Sequence, residues 1–195
     1  MPTEAVLMHL ANAEELENLQ MQVILQSAPV LKNVKMSCMF AVPGAYLKTV
    51  SSFFAGTNIS VRCLCQRKGR AIILVYREEQ LADYLRDDQV AMFLRQFGYY
   101  GDFLREYLTY LGERFSYYYN QEGGFPHEMG IFLGYPLEDV KGFIAHGGKN
   151  CCFTGYWKVY SNVEHAKQKF QAFDMAKEAA VNEFFSGKNV WEIAC

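Results

Sequence analysis

The chain has 195 residues, of which 51% are hydrophobic, 21% charged and 15% aromatic, with five prolines and fifteen glycines. That length and composition suit one globular domain with its own core and exclude a disordered or fibrous chain. A formal charge of −2 gives no basic face for nucleic acid or an anionic membrane, and no apolar run reaches the ~18 residues of a membrane span.

The start, Met1-Pro2-Thr3-Glu4, has no basic region leading into an apolar one, so no signal peptide is read there. A cytoplasmic location is expected. The cysteines at 38, 63, 65, 151, 152 and 195 are then reduced thiols. Asn12-Ala13-Glu14-Glu15 has the form of a capping box, and Leu16, Leu19 and Val23 follow at helical spacing. A helix is expected over about 13–26. Ser27-Ala28-Pro29 suggests a second helix start, with Ser27 as N-cap and Pro29 in the first turn. Gly44 to Phe54 forms a third helical stretch, closed by Gly56.

The period then changes. Ile59, Val61, Cys63 and Cys65 alternate along 58–66, and Ala71 to Tyr76 is almost continuously apolar. Arg67-Lys68-Gly69-Arg70, the one basic cluster, joins them as a hairpin tip. Helices are expected over 78–87, 88–97 and 102–118, with Gly98 as a stop and Leu104, Leu108, Leu111 and Phe115 on one face. The Tyr99-Tyr100 and Tyr117-Tyr118-Tyr119 runs fall at helix ends, on a surface or interface. Gly123-Gly124 marks a loop. Glu128 to Tyr135 reads as a central strand, apolar on both faces after Glu128. Pro136 opens a short helix that Gly147-Gly148 ends. Cys152 to Tyr160 is a fourth strand. A long helix over 162–185 turns Ala166, Phe170, Phe173, Ala180 and Phe184 inward. The expected fold is a single α+β domain over 1–195: a helical N-terminal segment, a roughly four-stranded sheet with one clear hairpin, covering helices and a long C-terminal helix.

The run His-Glu-Met-Gly-Ile-Phe-Leu-Gly-Tyr-Pro-Leu-Glu-Asp-Val from His127, then Gly-Phe-Ile, Gly-Lys-Asn and Gly-Tyr-Trp-Lys-Val-Tyr, resembles an uncharacterised bacterial family found mainly in clostridia. That family carries a domain-of-unknown-function label. The resemblance covers the whole chain and implies no activity. Family members often carry Cys where this chain has Ser27, ahead of a small residue and Pro.

Several chemistries fit parts of this pattern. His127-Glu128 lacks the second histidine, four residues on, of a metalloprotease helix, because position 131 is Ile. On a strand the two side chains would point to opposite faces. Either His127 bonds a loop and Glu128 pairs with Arg or Lys, or one of them serves a site. A Cys-small-Pro helix start facing a strand headed by His127 would suit a papain-like thiol hydrolase or transferase, inactive here because Ser27 is a poor nucleophile. Cys151 and Cys152 are alternative thiols, or plain core cysteines. Cys63 and Cys65 on one strand face read as core cysteines rather than metal ligands. Gly147-Gly148-Lys149-Asn150 fits neither a P-loop nor a dinucleotide loop. Gly130 and Gly134 allow close approach of a helix or a flat ligand. Tyr156, Trp157 and Tyr160, with Phe132 and Tyr135, could wall a pocket.

The expected function is therefore binding of a small molecule, cofactor or protein partner in a cleft around His-Glu-Met-Gly-Ile-Phe-Leu-Gly-Tyr-Pro. His127, Glu128, Gly134, Tyr135, Lys149, Asn150, Tyr156 and Trp157 are the expected ligand contacts. Ser27, His127 and Cys151 are the candidates for catalysis in the hydrolase alternative. No metal and no particular cofactor is assigned.

Overall fold

The computed structural model describes residues 14–195 together with Glu4, Val6 and Met8; the Asn12 and Ala13 part of the expected cap lies outside the described residues. Helix α1 (Glu15–Leu31) runs unbroken through Ser27-Ala28-Pro29. Ser27 is therefore not an N-cap. It is fully buried inside the helix, and its hydroxyl donates to the Val23 carbonyl at 2.7 Å. The expected break fails because Val23, Ile24, Ala28, Val30 and Leu31 are all core residues, and burying them outweighs the single helical bond that Pro29 removes. The Pro29 carbonyl then accepts from the Val34 and Lys35 N–H groups, each at 2.9 Å, which turns the chain back into a strand.

That strand, β1 (Ser37–Pro43), was not expected from the sequence. A short 3-10 turn over Gly44–Tyr46 and helix α2 (Leu47–Ser52) follow. Strands β2 (Ile59–Arg67) and β3 (Arg70–Arg77) form the expected hairpin. Lys68 (φ 47°) and Gly69 (φ 74°) take the two positive-φ positions of its tight turn. The sheet has three antiparallel strands in the order β1-β3-β2, not four. Along central β3, Ala71, Ile73 and Val75 point to one face, and Leu74 and Tyr76 to the other. Each face carries its own core.

A bulge between Cys63 and Cys65 in β2 reverses that phase. Cys63 pairs opposite Ile73 and Cys65 opposite Ile72, so the two thiols face different cores. The expectation that both share one face is corrected here: the extra residue, Leu64, shifts the alternation by one.

Helices α3 (Glu78–Arg86), α4 (Asp88–Arg95) and α5 (Leu104–Tyr119) lie close to their expected spans. Asp87 caps α4, its carboxylate accepting from the N–H groups of Gln89 and Val90. They cover one face of the sheet with Leu81, Leu85, Leu94, Leu108, Leu111 and Phe115. Tyr99, expected on the surface, is fully buried there, while Tyr100 is exposed. After α6 (Met129–Phe132) and α7 (Leu137–Ala145) comes a miniature hairpin, β4 (Phe153–Thr154) with β5 (Lys158–Val159). This hairpin stands where the fourth strand was expected and forms its own two-stranded sheet. Helix α8 (Val163–Phe185), capped by Asn162, buries all five residues expected to face inward. With α1 and α9 (Val190–Ala194) it covers the other face. The fold is α+β.

Candidate functional site

Residues 128–135 are not a strand. Met129–Phe132 form a helical turn, opened by N–H bonds from Met129 to Pro126 O and from Ile131 to Glu128 O. Gly134, at φ 73°, closes it. The Tyr135 N–H reaches back to Gly130 O and the Gly134 N–H to Ile131 O, the paired bonds of a Schellman stop. Pro136 follows as N-cap of α7. The same stop ends α7, with Gly148 N–H on Phe143 O and Gly147 N–H on Ile144 O, where the sequence placed Gly147. A run of buried apolar residues suits a strand or a buried helix equally. Glycine stops at both ends decide for helix.

The turn sends His127 and Glu128 to opposite fates. His127 is exposed, with its ring centroid 5.2 Å from that of Phe125 and 5.1 Å from that of Phe143. Glu128 is fully buried. One carboxylate oxygen accepts from Arg114 Nε at 2.9 Å and from the Tyr99 hydroxyl at 3.1 Å. The other, Oε2, is buried without a protein partner. Burial, and then the Glu128 charge, hold the Tyr99 hydroxyl far above the usual phenol range. Glu128 pairs with an arginine, as one of the two expected readings had it, and ties α6 to α5.

Asp139, on the first turn of α7, is the second buried acid of the motif. Oδ2 accepts from Trp157 Nε1 at 2.7 Å. Oδ1 accepts from the N–H groups of Tyr160 and Ser161 and from the Ser161 hydroxyl, at 2.8–2.9 Å. Four donors on one carboxylate fasten the β4–β5 hairpin to the motif.

The hairpin brings Trp157 against Tyr135, stacked at 5.1 Å, and against Phe170 and Phe173 of α8. Tyr156 meets Phe173 edge to face at 5.1 Å. Two lysines complete this aromatic corner. Lys35 Nζ lies 5.3 Å from the Tyr135 ring centre and 5.8 Å from that of Phe173. Lys177 Nζ lies 4.6 Å from the Tyr156 ring centre. Neither ammonium forms an ion pair with a carboxylate of the described residues. Nearby on α8, Asp174 accepts the Tyr156 hydroxyl at 2.7 Å. Burial presses the Lys35 pKa below the usual lysine range; the neighbouring Cys38 opposes this in part, and the Lys177 charge adds to it. Burial raises the Tyr135 hydroxyl. It also raises that of Tyr156, aided by the bond to Asp174.

Of the expected contacts, the fold gathers Gly134, Tyr135, Tyr156 and Trp157 at this corner. Glu128 lies in the interior. Lys149 and Asn150 are exposed beside Tyr160, whose hydroxyl bonds the Lys149 carbonyl. Cys151 meets the Thr154 hydroxyl at 3.3 Å. Ser27, buried mid-helix, lacks the helix N-terminus on which the thiol-hydrolase alternative rested. Lys35, Lys177 and Asp139 were not singled out in the sequence. Asp139 stood inside the motif, whereas a lone lysine in a turn carries no signal. A broad groove of about 1850 Å³ lies elsewhere, lined by Arg77, Arg95, Asp102, Arg105 and Glu113, and no residue of the motif reaches it. Among the described residues, no three His, Cys, Asp or Glu side chains gather as metal ligands, and no helix is long and apolar enough to cross a membrane.

Compared with known proteins, residues 23–194 match the model of a family described as "Protein of unknown function (DUF3793)". No curated protein and no solved structure matches the chain.

Proposed function

Because the chain belongs to this family of unknown function, we propose from its own geometry that it binds a small molecule bearing a carboxylate or phosphate at the Lys35–Lys177 aromatic corner. The carrying observation is Lys35, whose ammonium is partly desolvated over Tyr135 and Phe173 with no carboxylate among the described residues to pair it. Cation–π contact offsets only part of that cost. A bound anion offsets more, and Lys177 doubles the attraction. The partly exposed Tyr135 and Tyr156 offer a flat body something to lie against.

The test uses Trp191→Phe protein, in which Trp157 is the remaining tryptophan. Benzoate and inorganic phosphate are titrated while Trp157 emission is followed. We expect a saturable response, weakened about tenfold or more by Lys35→Met or Lys177→Met. Lys35→Met should leave the ligand-free protein as stable or more stable, since it removes a desolvated charge. Responses in both methionine variants equal to that of the Trp191→Phe parent would sink the reading.

A further inference from the structure

Beyond holding an anion, the corner has the parts of a covalent carbonyl-capture site. We propose that Lys35 is a nucleophilic amine that takes the carbonyl carbon of a small anionic aldehyde or ketone as an imine, with Lys177 holding the ligand's acid group. This rests on the ligand-binding reading of the same corner and names its ligand class.

The geometry around Lys35 carries it. Lys35 Nζ lies over two rings, Tyr135 and Phe173, and the Lys35 backbone N–H is fixed on the Pro29 carbonyl, so the side chain leaves a defined turn. It keeps part of its surface in solvent, which a carbonyl compound can reach. Its ammonium has no carboxylate partner among the described residues, and a lysine in an ion pair stays charged and unreactive. A second ammonium, Lys177, stands on the neighbouring Tyr156 ring, and Tyr156 packs on Phe173. An apolar setting beside another cation is the arrangement that activates lysine amines. Burial, the largest effect, favours loss of the Lys35 proton; the neighbouring Cys38 opposes this in part, and the Lys177 charge adds to it.

The step balances without an oxidant or reductant. The neutral Lys35 nitrogen attacks the carbonyl carbon, whose π pair moves to oxygen; the nitrogen then gives up one proton and the oxygen takes one up, giving a neutral carbinolamine. The nitrogen lone pair then expels that hydroxyl as water after a second protonation. Loss of the nitrogen's proton leaves the imine and one released water. A carboxylate on the ligand pairs with Lys177 rather than Lys35, so it holds the carbonyl near Lys35 without forcing the proton back.

The test incubates the full chain with glyoxylate near neutral pH, adds cyanoborohydride to reduce any imine, and maps the adduct by mass spectrometry. We expect one predominant adduct at Lys35, formed about tenfold or more faster than at exposed lysines such as Lys68 or Lys149. Lys177→Met should slow it about tenfold by removing the anchor, and Lys35→Arg should abolish it. Adducts spread evenly over the lysines, or a Lys35 rate unaffected by Lys177→Met, would overturn the proposal. Saturable benzoate or phosphate binding together with no Lys35 adduct would overturn the imine alone and leave the binding reading standing.

Discussion

Cys38 shows how the lysine–aromatic corner is felt by its neighbours. The thiol is buried beneath Lys35, and burial raises its pKa from 9.0 to about 12, the lysine charge opposing only part of this. The folded protein therefore holds that proton more tightly than the unfolded chain does. Its contribution to stability is fully present below pH 9 and is lost as the pH rises toward 12. A gap of about three pH units corresponds to about 4 kcal/mol. Buried tyrosines act in the same sense, Tyr84 rising to about 12 through burial and the nearby Asp87 charge. We expect wild-type protein to lose more stability between about pH 8 and about pH 11 than Cys38→Ala does, by roughly 2–3 kcal/mol in urea unfolding. Equal losses in the two proteins would show that Cys38 does not carry this term. None of this was legible beforehand, since Cys38 lies on a strand that the sequence did not reveal.

At the scale of elements, α5 and β2 approach each other closely at Gly112. A Cβ on Gly112 would lie 2.9 Å from the Leu64 carbonyl oxygen, a backbone atom that cannot swing aside. Leu64 is the bulged residue, and its side chain is buried under α5. The bulge thus supplies the seat, and the glycine lets the helix settle into it. Gly112→Ala gains up to about 1 kcal/mol of helix propensity. It incurs about 1–3 kcal/mol of overpacking against backbone, so a net loss is expected in a urea melt; a raised midpoint would refute the contact argument. Elements with caps and turns were readable: Asn162 before α8, the Lys68-Gly69 turn, and the apolar face of α5. Elements that depend on distant partners were not. Strand β1 pairs with β3, some thirty residues on in sequence, and no tight turn joins the two; its apolar run has no clean alternation. The 128–135 stretch misled for the opposite reason. Its apolar residues dominated the reading, while Gly134-Tyr135-Pro136, a helix stop followed by a helix start, carried the deciding signal.

Across the whole molecule, the long motif proves to be a set of braces that position the candidate site. Glu128 ties α6 to α5 through Arg114, and Asp139 ties α7 to the small hairpin. Both acids were visible as residues, but their partners at 99, 114, 157, 160 and 161 were not, because pairing is decided by the fold. The aromatic half of the corner was foreseen in Tyr135, Tyr156 and Trp157. Its charged half, on α8 and the turn after α1, arrives from parts of the chain that share no motif. The central strand has a further consequence, in the time domain. β3 is hydrogen-bonded on both edges and covered by a separate core on each face, so its amides cannot meet water until both helical layers have come away. Interior amides of β3, from Ile73 to Val75, should exchange their hydrogens for deuterium only through global opening, with the same free energy that urea reports for complete unfolding. Faster exchange there than in the middle of α8 would mean that the two layers come apart in separate steps, and that the strand between them is released with the first.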